Sequence, residues 1–283
     1  MESVSLKYAV VSVEDKPFFF QVLADALCEV HGINRVDAMR RARNSHYIFE
    51  AGLAEDQARR LRDLLTQRDV PSAVVPMTCF VKLGKAVWLA HAACIEESFR
   101  IQPMEGKPFS VEWPDITMIG YGHVEHRIQK EPKGGLGPAG DVGAFGIAAG
   151  VGLAPGFGFY RHSTMYDRAK HFESVLQQKE EVELHDCLDM FVGSLRDAEF
   201  AAHFRVFSNR FCYDYLGGRK QPTSTGNFRC FVEDIAKFAP NLLLTGRTRR
   251  FLSGDHGGRP IPGFQTFDEY NCWSVAMSNA PAS

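Results

Sequence analysis

An arginine cluster near the C-terminus is the strongest candidate for binding chemistry in this chain of 283 residues. The stretch Gly-Arg-Thr-Arg-Arg brings together Arg247, Arg249 and Arg250, and no acidic residue follows before Asp255. Guanidinium groups match the paired oxygens of phosphates and carboxylates. We therefore predict that these three arginines bind an anionic group, such as a phosphate or the headgroup of an anionic lipid.

A second group of basic residues lies between residues 40 and 62, where acidic residues balance it and favour a solvated, salt-bridged surface. Three consecutive phenylalanines precede it at residues 18 to 20, and on a helix three neighbours cannot all face one core. At least one should lie near the surface or under another part of the chain. Burial and a protein-docking patch are the two alternatives. For docking, the predicted partner surface consists of Phe18, Phe20, Arg40 and Arg41.

The motifs that would indicate a cofactor are weak. Residues 135–140, Gly-Leu-Gly-Pro-Ala-Gly, match the dinucleotide-binding string. That string works only where a strand leads through it into a helix. Here Pro132 precedes it, and Gly143 and Gly146 occupy the positions where a helix should begin. We predict no cofactor.

The histidines give no metal-binding pattern. His123 and His126 are three positions apart, and on a strand they would point to opposite faces. We interpret them as surface histidines and predict no metal site. His185, Asp186 and Cys187 are adjacent, so their side chains would diverge along a strand.

An enzyme remains an alternative. Its site would lie in the second half of the chain, where His185, Cys187 or Asp189 could take part in a polar cleft. No sequence motif identifies a catalytic residue, and we expect a non-catalytic protein.

Bulk composition excludes some classes of protein. The net charge of −2 disfavours a dedicated nucleic-acid binder. Seven scattered cysteines without a CxxC pair disfavour a disulfide framework or a thiolate metal site. The first residues do not resemble a secretory signal, so we expect a cytoplasmic protein. The glycine-rich segment 133–159 is apolar enough for a membrane span, but Asp141, Pro138 and Pro155 favour a loop inserted between strands.

The hydrophobic pattern predicts an α+β protein of two domains. Residues 1–77 have the order β-α-α-β-α-β, which predicts a two-layer sandwich. Gly32 ends the first helix, Asn34 caps the second, and Gly52 makes the turn before the third.

From Gly32 to Val75 this pattern resembles, without gaps, the C-terminal domain of the bacterial ribosomal stalk protein; the likeness covers about residues 5–77. In that family, basic residues on the first long helix recruit translational GTPases. Here those positions carry Phe20, Asp25 and Cys28, so we expect the fold of the family with a different partner.

Residues 78–283 alternate with period two and predict a mostly antiparallel, β-rich, barrel-like domain. An amphipathic helix carrying Phe228, Phe231 and Ile235 would close it. Residues 79–240 are loosely similar in pattern to a bacterial pleckstrin-homology-like barrel. Thr266 and Glu269 have capping-box spacing, which predicts a short terminal helix.

Both resemblances imply a binding platform. We therefore expect an interaction or adaptor protein whose partner is another protein, with nucleic acid and membrane disfavoured. An anionic lipid- or phosphate-binding module is the other non-enzymatic alternative.

Overall fold

The computed structural model describes residues 6–129, 180–197, 199–255 and 258–281. Residues 1–126 together with 184–283 form one compact unit, and residues 127–183 form a second. The predicted glycine-rich loop at 133–159 lies outside the described residues. The first unit spans both predicted domains, and everything below concerns that unit, apart from the ends of two strands.

The N-terminal part has the predicted order of elements, and the α+β class is confirmed. Its described strands form a three-stranded antiparallel sheet of order β2-β1-β3. The elements are β1 (Tyr8–Ser12), α1 (Phe20–His31), α2 (Arg35–Asn44), β2 (Ile48–Leu53), α3 (Glu55–Thr66) and β3 (Ser72–Pro76).

Local signals set the helix ends in this part. Gly32 has a left-handed backbone with φ of 64° and ends α1, since glycine adopts this conformation without steric cost. Asn34 caps α2, where its side-chain oxygen accepts the backbone N–H of Asp37 at 3.0 Å. The three helices cover one face of the sheet, burying Leu27, Leu61 and other apolar side chains with Val10 of β1.

A mixed sheet makes up most of the remaining chain. Its seven strands among the described residues have the order β10-β7-β8-β9-β4-β5-β6. The strand β4 is parallel to β9 and antiparallel to β5. The strands are β4 (Val87–Cys94), β5 (Phe99–Pro103), β6 (Phe109–Val111), β7 (Ile116–Gln129), β8 (Glu180–Val192), β9 (Ala202–Phe207) and β10 (Leu243–Leu244).

This sheet differs from the expected barrel. Strands β10 and β6 are its two edges in the described part of the chain and do not pair with each other, so the sheet is open. One of its faces is covered by α4 (Ser224–Phe238) and α5 (Gly246–Leu252). The predicted amphipathic helix is α4, and its Phe228, Phe231 and Ile235 are fully buried.

The last helix, α6 (Gly263–Asn279), lies between the two sheets. Tyr270, Trp273 and Ala276 pack in one cluster with Ala9 and Val11, which point to the face of β1 opposite Val10. This helix is apolar on more than one side because both sides are covered. The prediction of a short helix capped at Thr266 is therefore wrong. The helix begins at Gly263, and the Thr266 hydroxyl donates a hydrogen bond to the Pro262 carbonyl.

Two glycines let α6 approach the large sheet closely. A Cβ atom on Gly120 would lie 2.0 Å from the side-chain oxygen of Asn271, and one on Gly122 would lie 2.7 Å from the Phe267 ring. Both glycines belong to β7, where the missing side chains make room for the helix. In the described residues, no helix has both the length and the apolar content to cross a membrane.

Candidate anion-binding pocket

A pocket of about 240 Å³ lies where the N-terminal sandwich meets α5. Its walls come from the segment after β1, the end of α2, the helix α5 and the segment that leads into α6. Five cationic side chains and one carboxylate line it. The charged groups are Lys16, Arg43, Arg247, Arg250, Arg259 and Asp15.

Arg247 is the most constrained of these cations. Its side chain is only 10% exposed, and it donates to both carboxylate oxygens of Asp15, from Nε at 2.8 Å and from Nη2 at 2.9 Å. Its Nη1 donates to the Arg259 carbonyl at 2.9 Å. Burial alone would lower the pKa of Arg247, but hydrogen bonding to Asp15 outweighs it, and the pKa is raised. The guanidinium is therefore a fixed positive charge in the wall of the pocket.

Tyr47 supports this arrangement as a neutral phenol. Burial raises its pKa, with a further contribution from Asp15. Its hydroxyl donates to Asp15 at 3.3 Å and lies 3.1 Å from Nη2 of Arg247. The phenol thus bonds to both the carboxylate and the guanidinium and fixes their relative positions.

The pocket has more positive than negative charge. The single carboxylate of Asp15 is shared by Arg247 and Arg250. Among the described residues, no carboxylate lies within ion-pair distance of Arg43 or Arg259. In the described part of the chain, Lys16 pairs with the exposed Glu14, at 2.7 Å. Since the chain as a whole carries a charge of −2, this local excess of cations is a property of the site.

Apolar side chains complete the walls. Phe18 and Phe20 are half-buried and line the pocket together with Pro17, Pro260 and Pro262. The Phe20 ring lies 5.3 Å below the guanidinium of Arg43, a cation–π contact that directs this arginine. A site with an apolar wall and several convergent cations can hold an anionic ligand that also has an apolar part.

The predicted site residues fall in different places. Arg247 and Arg250 line the pocket, whereas Arg249 does not; it is exposed and donates to the Leu244 carbonyl at 2.8 Å. Phe18 and Phe20 are wall residues, and the exposed member of the triplet is Phe19, at 80% exposure.

The two helix arginines of the predicted partner surface lie outside this pocket. Arg40 and Arg41 are exposed on α2, and Arg41 lies 3.8 Å from Glu50. Residues that the sequence interpretation missed are Asp15, Tyr47 and Arg259, for which no local signal existed.

A buried charge network lies on the other side of α6. Arg205 donates to Asp189 from Nε and from Nη2, both at 2.6 Å, and to Asp268 at 2.5 Å. Asn271 donates to Asp189 at 2.8 Å. Burial would raise the pKa of Asp189, but Arg205 and then His203 outweigh it, and the pKa is lowered. The carboxylate is therefore ionised and fully partnered.

His203 completes this network beside Asp189. Its Nδ1 donates to the Gly84 carbonyl at 3.1 Å, and its Nε2 lies 3.0 Å from Asp189, off the hydrogen-bond direction. Burial would lower the pKa of His203, but Asp189 outweighs it and the pKa is raised. The cluster of Asp189, His203 and Asp268 has the residue types of a metal site. However, the guanidinium of Arg205 already lies between the two carboxylates. We therefore assign a structural role to the cluster.

The residues of the enzyme alternative, His185, Cys187 and Asp189, alternate along β8 and share its face toward α6, where Arg205 and Asn271 hold Asp189. His185 and Cys187 point toward α6, whereas Asp186 points to the opposite face of β8, where it accepts from Tyr121 at 2.7 Å and contacts His123 at 2.9 Å. Burial raises the pKa of the Cys187 thiol well above its usual value, so this thiol stays protonated. His123 and His126 lie on opposite faces of β7.

The fold and the pocket define an α+β protein with two sheets, a helix buried between them and an arginine-lined cavity. Comparisons of the chain with protein-family models, with curated proteins and with solved structures found no match. The resemblances to the ribosomal stalk domain and to the pleckstrin-homology-like barrel therefore stay predictions.

Proposed function

We propose that this protein is a non-catalytic binding protein whose arginine-lined pocket recognises an anionic group. The observation that carries the proposal is the convergence of Arg43, Arg250 and Arg259 on one cavity in which Asp15 is the sole carboxylate among the lining residues. A phosphate or carboxylate group in this cavity would gain charge-assisted hydrogen bonds. Seven free cysteines are compatible with the reducing cytoplasm in which we place the protein.

The pocket is preorganised for this role. Arg247 and Tyr47 hold Asp15 in place, and among the described residues Arg43 and Arg259 have no carboxylate partner to exchange for the ligand. Arg43 is directed by the Phe20 ring. A ligand therefore binds without first breaking an ion pair of Arg43 or Arg259, which lowers the cost of binding.

Calorimetric titration tests the proposal, with sodium pyrophosphate and sodium citrate as probes of the two anion classes. We expect binding by the wild-type protein that weakens as salt is added, because salt screens the charges. Arg43→Gln and Arg259→Gln should each weaken binding by about tenfold, the magnitude of one charge-assisted hydrogen bond.

Arg249→Gln is the matched control, since it removes the same charge from an exposed residue outside the pocket. We expect it to change the affinity by less than about twofold. Absence of binding by both probes would refute the proposal. An Arg249→Gln effect as large as that of Arg43→Gln would also refute it, because attraction would then be non-specific.

A further inference from the structure

A second recess lies along α2, next to the anion-binding pocket. Its volume is about 520 Å³, and Arg43 lines both cavities. The side chains around it all come from one face of α2 and the residue at its end: Arg35, Val36, Met39, Arg40, Arg43 and Asn44. The two recesses therefore share Arg43 as a lining residue.

The recess combines apolar and cationic side chains. Val36 is 79% exposed, and Met39 beside it is half-buried. Arg40 follows Val36 by four positions and so lies on the same helix face. Because Val36 is largely exposed, its side chain is accessible to an apolar group of a partner.

The arginines of this recess are available to a partner. Among the described residues, no carboxylate lies within ion-pair distance of Arg40 or Arg43. Arg35 lies 3.3 Å from Asp25, but both side chains are largely solvated, and such a pair contributes little. The positive charge of this surface favours an acidic partner.

We propose that the two recesses form one groove that binds a linear acidic segment of a partner protein. This inference rests on the proposed function, because the anionic group of the segment would occupy the arginine-lined pocket. An apolar side chain of the same segment would lie against Val36 and Met39, and the segment would cross Arg43.

The helix sets the spacing of the two groups. Val36 and Arg43 are seven positions apart, which corresponds to about 10 Å along α2. An extended peptide covers this distance in about three residues. The recognised segment therefore has an apolar residue about three positions from an acidic or phosphorylated residue.

A peptide fits the groove better than a membrane surface does. Several elements wall the anion-binding pocket, so a narrow extended chain reaches its arginines more easily than a flat bilayer surface does. Phe19, which does protrude, lines neither cavity. The arginine and apolar side chains of the groove instead match alternating side chains of an extended chain.

Fluorescence anisotropy with short labelled peptides tests this proposal. One peptide carries leucine and, three positions later, phosphoserine; a second carries two glutamates in place of the phosphoserine. In two comparison peptides serine replaces the leucine. We expect the leucine peptides to bind at least about tenfold more tightly than the serine peptides, the effect of burying one apolar side chain. The leucine peptide that binds more tightly shows whether the preferred anionic group is a phosphate or a carboxylate.

Variants separate this proposal from the proposed function. Val36→Ser should weaken binding of the leucine peptides by about tenfold through lost apolar contact, yet leave pyrophosphate binding within about twofold because it adds no charge. Arg40→Gln should also weaken peptide binding, and Arg60→Gln, an exposed change on α3, is its charge-matched control.

The outcomes are distinct. Equal binding of leucine and serine peptides would refute the groove while pyrophosphate binding still supports the pocket. Absence of both pyrophosphate and citrate binding by the wild type would refute the pocket itself. Binding to phosphatidylserine vesicles that depends on Phe19, without peptide binding, would overturn the groove in favour of a membrane contact.

Discussion

Asp15 and Arg247 are 232 positions apart in the sequence, and two hydrogen bonds of 2.8 and 2.9 Å join their side chains. The pair connects the segment after β1 to α5 and forms a wall of the pocket. Tyr47, which directly precedes β2, adds a third contact through its hydroxyl, which accepts a hydrogen bond from Arg247. The same ion pair therefore belongs to the binding site and to the contacts that attach the N-terminal sandwich.

Replacement of Asp15 should destabilise the protein and strengthen anion binding. Asp15→Asn leaves the buried guanidinium of Arg247 without its counter-charge, and we expect the free energy of unfolding to fall by about 3 kcal/mol. Urea denaturation measures this loss. Added pyrophosphate should restore more stability to Asp15→Asn than to the wild type, because the ligand supplies the missing negative charge.

Glu14→Gln is the control for this change, since Glu14 forms an exposed pair with Lys16. We expect little change in its unfolding free energy. If Asp15→Asn and Glu14→Gln were equally stable, the ion pair to Arg247 would not hold the two parts together.

Gly120 should tolerate no side chain. In Gly120→Ala the new methyl group would meet the Asn271 side chain at 2.0 Å, and Asn271 also donates to Asp189. Overpacking at such a contact costs about 1–3 kcal/mol. Thermal denaturation of Gly120→Ala beside Gly218→Ala checks this, because a Cβ on Gly218 meets no atom within 4 Å. Equal melting temperatures would contradict the close approach of α6.

Glu269 should stabilise the start of β2 against local unfolding. Its carboxylate oxygen accepts the backbone N–H groups of Tyr47 and Ile48, both at 2.8 Å, and lies 3.4 Å from that of His46. In Glu269→Gln the charge is lost, and we expect the unfolding free energy to fall by about 1–2 kcal/mol.

Hydrogen exchange gives the sharper test of this contact. The amides of Tyr47 and Ile48 should exchange faster in Glu269→Gln, whereas amides of α4 keep their wild-type rates. Glu233→Gln is the matched control, because Glu233 pairs with Arg229 on the surface of α4. Unchanged exchange at residues 47 and 48 would refute this role of Glu269.

His203 should make stability depend on pH in the neutral and alkaline range. Its pKa in the folded protein is raised above the usual value of about 6.5. A group with a raised pKa stabilises the folded state fully below the unfolded pKa and loses this effect as pH rises through the folded pKa. The difference in unfolding free energy between wild type and His203→Gln should therefore be largest below about pH 6.5 and shrink above it.

Urea denaturation across this range measures that difference, and titration of the His203 ring by NMR gives the pKa directly. A difference independent of pH would show that His203 is neutral and acts only through packing.

Local signals made the N-terminal fold predictable. The left-handed turn at Gly32, the cap at Asn34 and the apolar spacing of the helices act over a few residues, so they can be read without the rest of the chain. The amphipathic helix α4 was predictable for the same reason, because its apolar face recurs with the helical period.

The last helix shows where local signals were insufficient. The spacing of Thr266 and Glu269 has the form of a capping box, yet Glu269 caps nothing in its own helix and binds backbone amides more than 220 positions earlier. A carboxylate binds whichever donors the fold brings to it, and the sequence near Glu269 contains no trace of those donors.

The sequence by itself determined the α+β class, the order of elements in residues 1–77 and two of the pocket arginines, because these follow from local periodicity and charge. Only the tertiary structure decided that Asp15 neutralises Arg247, that Arg249 lies outside the pocket and that Arg43 and Arg259 join it. The pocket depends on contacts such as that between Asp15 and Arg247, 232 positions apart, which packing creates and local sequence does not encode.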